Sequence, residues 1–129
     1  MGGRRRHRTV TVTWSGAINP TANDIVPDED KVLYLTGAAY VTVQLVTPTV
    51  AAGAATFDLH TIGSNHADAG YTTAHFQTNV ITAQAKAVTG SPAVITQGPH
   101  YIKLRLDLNA AVLAEGEDVV AYVWIDYVE

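Results

Sequence analysis

Cysteine is absent from this chain of 129 residues, so it has no disulfide framework, no thiolate metal site and no cysteine nucleophile. Positive charge is scarce: eight Lys and Arg stand against twelve Asp and Glu, for a net charge of −4. That balance argues against a surface that binds nucleic acid along its whole length. No apolar run approaches the roughly 20 residues of a membrane span, and the arginine-rich start is followed by threonine alternation where a signal peptide would have an apolar core. The expectation is a soluble, unexported protein. Long helical periodicity, internal repeats and glycine-rich phosphate loops are missing as well.

What is present points to strands. At 47% hydrophobic residues the chain can bury a core without staples, and its length suits one domain. Thr9 to Trp14 alternates, with Val10, Val12 and Trp14 on one face and threonines on the other. Ser15 to Asp30 is dense in Gly, Asn, Pro and Asp and reads as a long loop. Lys31 to Thr36 and Tyr40 to Thr47 are strand-like runs around Gly37, a spacing that predicts a tight hairpin. Thr49 to Ala55 is small and apolar, and Thr56 to Ile62 is a further strand that sets Phe57, Leu59 and Thr61 against Thr56, Asp58 and His60. From Tyr71 to Thr89 the threonines and valines favour two short strands, although the alanines and glutamines would also suit a helix. Ala93 to Thr96 is expected to be a short edge piece.

Tyr101 to Leu108 is half-exposed by pattern: Ile102, Leu104, Leu106 and Leu108 face the core and Tyr101, Lys103, Arg105 and Asp107 face away. Asp118 to Val128 differs, because Val119, Ala121, Val123, Ile125 and Tyr127 alternate with Val120, Tyr122, Trp124, Asp126 and Val128. Both faces are largely apolar. One should cover the core and the other should meet a partner or a second layer. The sum is an all-β fold of about eight strands, a two-sheet antiparallel β-sandwich of jelly-roll type, with an immunoglobulin-like sandwich as the alternative. Residues 1–8 form a basic arm, and residues 9–129 form the single domain.

No catalytic set emerges. Ser15, Ser64 and Ser91 lack the glycine-flanked nucleophile turn. His60, His66, His75 and His100 lie near Asp58 and Asp68, yet their spacing is not that of a zinc site, and hydrogen-bonded or solvated surface histidines are expected in place of a metal. Asp28, Glu29 and Asp30, and Glu115, Glu117 and Asp118, do not follow calcium-loop spacing and read as wet turns. No cofactor, metal or catalytic residue is assigned. Partner binding is assigned to Arg4, Arg5, Arg6 and Arg8 for charged docking and to Tyr122, Trp124 and Val128 for packing. The arm is expected to dock on a neighbour, protein or nucleic acid. Exposed Tyr and Trp would alternatively suit a carbohydrate- or receptor-binding module.

The run Leu113-Ala114-Glu115-Gly116-Glu117-Asp118-Val119 resembles the turn into a late strand of many jelly rolls, including trimeric ones of the tumour-necrosis-factor and C1q type. Glu117 stands where those proteins usually carry aspartate. Leucine plugs the core, glycine reverses the chain, the acid stays wet and valine rejoins the sheet. As a whole, a cysteine-free β-domain with threonine-faced strands and an arginine arm is similar in style to tailed-phage capsid decoration, or cement, proteins. That resemblance implies a noncatalytic homo-oligomer, such as a trimer, made in the host cytoplasm and seated on the surface of a virion. Its partners would be the major capsid protein or another virion protein.

Overall fold

A computed structural model describes residues 4–16, 24–50, 56–71, 74–95, 99–109 and 113–128, with the side chains of Ala39 and Val128 outside the description. Among the described residues there are eight strands and no helix. They are β1 (Arg5–Ser15), β2 (Leu33–Tyr34), β3 (Ala38–Val46), β4 (Thr56–Ser64), β5 (Gln77–Ala85), β6 (Ala93–Val94), β7 (Tyr101–Asn109) and β8 (Asp118–Val128). One sheet, A, runs β1-β8-β3-β6 and the other, B, runs β2-β7-β4-β5. Within them the first strand pairs with the last, the second with the seventh, the third with the sixth and the fourth with the fifth, all antiparallel. That nesting is one long hairpin rolled over on itself, the jelly-roll sandwich.

The period-two apolar stripes dictate the core. β7 sends Ile102, Leu104, Leu106 and Leu108 inward and all four are buried. From the opposite sheet β8 sends Val119, Ala121, Val123 and Ile125, and β3 sends Val41, Val43 and Leu45. Each large aliphatic removed from water contributes about 1.5–3 kcal/mol. Trp14 closes one end: it is fully buried, and its indole N–H donates to the Ile25 carbonyl at 2.9 Å. Leu113 is buried and Gly116 holds φ +85°, as the turn reading required.

Several expectations are corrected. β1 starts at Arg5, earlier than Thr9, because β8 extends far enough to give residues 5–8 partners, from Arg5 opposite Val128 to Arg8 opposite Ile125. The Gly37 turn is not a hairpin. It has the positive φ expected of it, +77°, but it carries the chain from sheet B to sheet A, since β2 pairs with β7 and β3 with β8. Among the described residues of Tyr71 to Thr89 there is one strand, β5, and not two; it has left-handed residues at Asn79 and Ala83 and an irregular register on β4. In β4, His60 and Ile62 are buried along with Phe57, Leu59 and Thr61, so its outward face is not wet. β6 is the expected edge piece. Part of the long loop (17–23), residues 51–55, Thr72, Thr73, Thr96 and part of the last connection (110–112) lie outside the described residues.

The outer face of sheet A as a candidate assembly site

Because β8 runs through sheet A between β1 and β3, its outward residues meet neighbours on both sides in cross-strand rows. Trp124 stands opposite Thr9 on β1 and Thr42 on β3, and Thr42 in turn stands opposite Val94 on β6. Tyr122 lies between Thr11 and Gln44, and Asp126 between His7 and Tyr40. Four large hydrophobic side chains of these rows are exposed: Tyr40, Val94, Tyr122 and Trp124. Among the described residues no second layer covers them. β8 is therefore dry toward the core and presents aromatics outward, flanked by the threonine and glutamine side chains of its neighbours. Between them lies a shallow depression of about 330 Å³, lined by Thr9, Thr42, Gln44, Pro92, Tyr122 and Trp124.

This face is held in place. The His7 ring stacks on Trp124 with centroids 3.9 Å apart and planes 8° from parallel. Arg5 forms an ion pair with Asp126 on β8. Arg8 donates to the Tyr34 carbonyl and lies over the Tyr127 ring, 5.4 Å from its centroid. Arg4 and Arg6 are exposed, and Arg6 faces Tyr127 in register. Arg5 thus shares the outward face of sheet A with Tyr122 and Trp124, whereas Arg6 and Arg8, in register with Tyr127 and Ile125, lie on the other face of the same sheet. Val128 stands opposite Arg5, with its side chain outside the description. Sequence reasoning missed His7, Tyr40 and Val94 as members of this face; the threonine alternation of β1, extended backwards, would have placed His7 in the outward set.

The remaining aromatics divide elsewhere. Trp14 is core, while Tyr34 meets Tyr101 edge to face on sheet B at 5.4 Å, and Lys103 Nζ sits 4.4 Å from the centre of the Tyr71 ring. Burial pushes the Tyr71 hydroxyl pKa up, assisted by Tyr34 and by Asp30 and Asp68.

His60 and His75 form a polar cluster on sheet B, whereas His66 and His100 are exposed, hydrogen-bonded side chains as expected. His60 is buried; its Nε2 meets Asp107 Oδ2 at 2.8 Å and its Nδ1 accepts the Asn79 N–H at 2.9 Å. Those two bonds place the proton of neutral His60 on Nε2. His75 stacks on His60 at 4.1 Å and its Nε2 meets Asp24 Oδ1 at 2.7 Å. His66 Nδ1 accepts the Asp68 N–H at 3.1 Å within its own turn. Among the described residues no three His, Asp or Glu side chains are placed to share a metal ion. Asp30 is not a freely solvated turn residue either. Arg105 bonds it at 2.7 Å and Lys103 at 3.1 Å. Burial acts to raise the Asp30 pKa, but the two cations outweigh it and hold the carboxyl below its ordinary value.

No protein-family model matches the sequence, and no curated protein does. Solved structures do align. VP2 of infectious bursal disease virus, from its subviral particle, matches with a TM-score of 0.51 at 14% identity, over 98% of this chain and 34% of that one. A chain of the cyanophage Pam1 capsid matches at 0.45 and 17% identity, over 100% and 88% of the two chains. A protein of the Bacillus endospore appendages, described as a family of disulfide-linked pili, matches at 0.45 and 16% identity, over 99% and 91%. At such identities the likeness is one of fold, and the chain shares the β-sandwich of the VP2 segment it aligns with.

Proposed function

We propose that this chain is a noncatalytic structural protein of a virion, a decoration protein that joins a capsid surface as a homo-oligomer, such as a trimer. The observation that carries the reading is the exposed aromatic face of sheet A, with Tyr40, Val94, Tyr122 and Trp124 on adjoining strands. The fold alone would not decide it, since sandwiches of this kind serve many ends. A cluster of fixed aromatic side chains is what protein interfaces use as anchors, and the arginine end of β1 adds charge at the margin of that cluster. Repeated over a closed oligomer and again over a lattice, individually weak contacts sum to firm attachment.

Light scattering of the native protein tests this. An oligomer is expected, and Tyr122→Ala together with Trp124→Ala should weaken it by about tenfold or more while leaving the fold intact. A 13.7 kDa monomer at every concentration would overturn the reading. The depression beside Tyr122 and Trp124, with Gln44 and Thr42 at its wall, favours a second reading, a carbohydrate- or receptor-binding module. Glycan-array binding that is lost in Trp124→Ala, with oligomer mass unchanged, would select it.

A further inference from the structure

The two edges of sheet A are finished differently. β6 ends one side after two residues, with Pro92 directly before it. β1 ends the other side with eleven residues. The Thr13 carbonyl accepts the Asp28 N–H at 2.9 Å, the Ser15 N–H donates to Asp28 Oδ1 at 3.0 Å, and Lys31 Nζ donates to the Thr11 carbonyl at 2.6 Å. In a strand the N–H and C=O of one residue point to the same side, and alternate residues point to opposite sides. These three contacts therefore identify the odd-numbered residues of β1 as those turned away from β8. The segment 28–31 covers the edge from Ser15 back to Thr11, and among the described residues the cover stops there. Arg5, His7 and Thr9 turn their N–H and C=O groups to the open side, where no described residue meets them.

Side chains do not block that side. Arg5 reaches onto β8 to Asp126, and the His7 ring lies on Trp124, also on β8. What remains is a length of backbone that no described residue pairs on its outer side, fixed on its inner side by an unbroken register with β8. An open edge of this kind is a template for one more strand.

We infer that the Arg5–Thr9 edge of β1 docks an extended acidic segment of another protein, which joins sheet A as a fifth strand. Charge selects the occupant. Arg4, Arg5, Arg6 and Arg8 are all exposed along this stretch. A second copy offering its own β1 would set arginines against arginines, which opposes self-pairing. An incoming strand carrying Asp or Glu at alternate positions turns that repulsion into attraction, and its backbone supplies the groups that Arg5, His7 and Thr9 lack. Nucleic acid would satisfy the arginines but has no backbone that matches the edge. The inference rests on the assembly reading for the identity of the partner as a virion component; the pairing itself is a property of the isolated chain.

The test uses the ¹⁵N-labelled full chain and an end-blocked peptide of about seven residues alternating Asp with Val or Thr. The expected result is slowed amide exchange at Arg5, His7 and Thr9 on peptide addition. Binding should fall by about tenfold or more when lysine replaces aspartate in the peptide, or when alternate peptide amides are N-methylated. Thr9→Pro in the chain should have the same effect, since it removes an outward N–H that β8 does not use and proline is tolerated there. Equal binding of the N-methylated peptide would reduce the contact to charge alone and overturn the inference, as would failure of the acidic peptide to bind. Oligothymidylate that displaces the peptide without slowing edge amide exchange would assign the arginines to nucleic acid and overturn it too. Any of these failures leaves the oligomer mass untouched, whereas a monomeric chain removes the assembly reading and leaves the peptide result standing.

Discussion

His7 lies flat on Trp124, ring over ring at 3.9 Å, joining the arginine-rich start of β1 to the exposed aromatic face of sheet A. The stack ties two features that are 117 residues apart, charge at one edge and aromatics beside it, into one surface. A double-mutant cycle with His7→Ala and Trp124→Ala should return a coupling of about 0.5–1.5 kcal/mol in urea unfolding. Additive single effects would mean that the two rings do not support each other.

Trp14 is expected to be the costliest single truncation. It is fully buried and also satisfies the Ile25 carbonyl, so Trp14→Ala should lose about 3–5 kcal/mol, a large part of the 5–15 kcal/mol typical of a domain. Trp14→Phe should lose much less. Denaturant midpoints at constant m-value decide between these outcomes.

Asp107→Ala should cost about 1–3 kcal/mol, because it strips the partner from a buried histidine and removes the acceptor that the Asp24 N–H uses at 2.6 Å. The same substitution at Asp68, which is exposed, should change the unfolding free energy by less than about 0.5 kcal/mol.

Asp30 gives the protein an acid limb. Its folded pKa lies below the ordinary 3.8, so its contribution is fully present above that value and is lost as pH falls through the lower, folded one. Asp30→Asn should therefore flatten the dependence of unfolding free energy on pH below about 4 and leave the slope at neutral pH unchanged. A parallel acid limb in wild type and variant would show that Arg105 and Lys103 do not act through Asp30.

Much of the architecture was legible because it is local. Alternation in Tyr101 to Leu108 and in Asp118 to Val128 named the residues that are now buried, and the two-faced character of the last strand led directly to Tyr122 and Trp124 as outward groups. β5 was not legible as one strand, since an edge strand that is mostly exposed has no apolar stripe to give its period away. Sheet membership was hidden for another reason. Gly37 permits a reversal, but whether β2 and β3 pair with each other is decided by β7 and β8, far along the chain. The same distance concealed why Arg5 and Arg8 are held: Asp126 and Tyr127 reach them only through register, and His60 acquired its buried place only when Asp107 and His75 were brought beside it.

Nesting of the strand pairs also orders events in time. Only β4 with β5 closes a short loop, while β3 with β6, β2 with β7 and β1 with β8 span progressively longer stretches of chain. Chains dominated by such distant pairing collapse into place over about milliseconds to seconds. Until β1 and β3 reach it, β8, apolar on its core face and aromatic on the other, has no partner on either side. Freshly made molecules therefore pass through a window in which crowding favours clumping over correct closure, and dilute, cool refolding should recover more native protein than concentrated refolding.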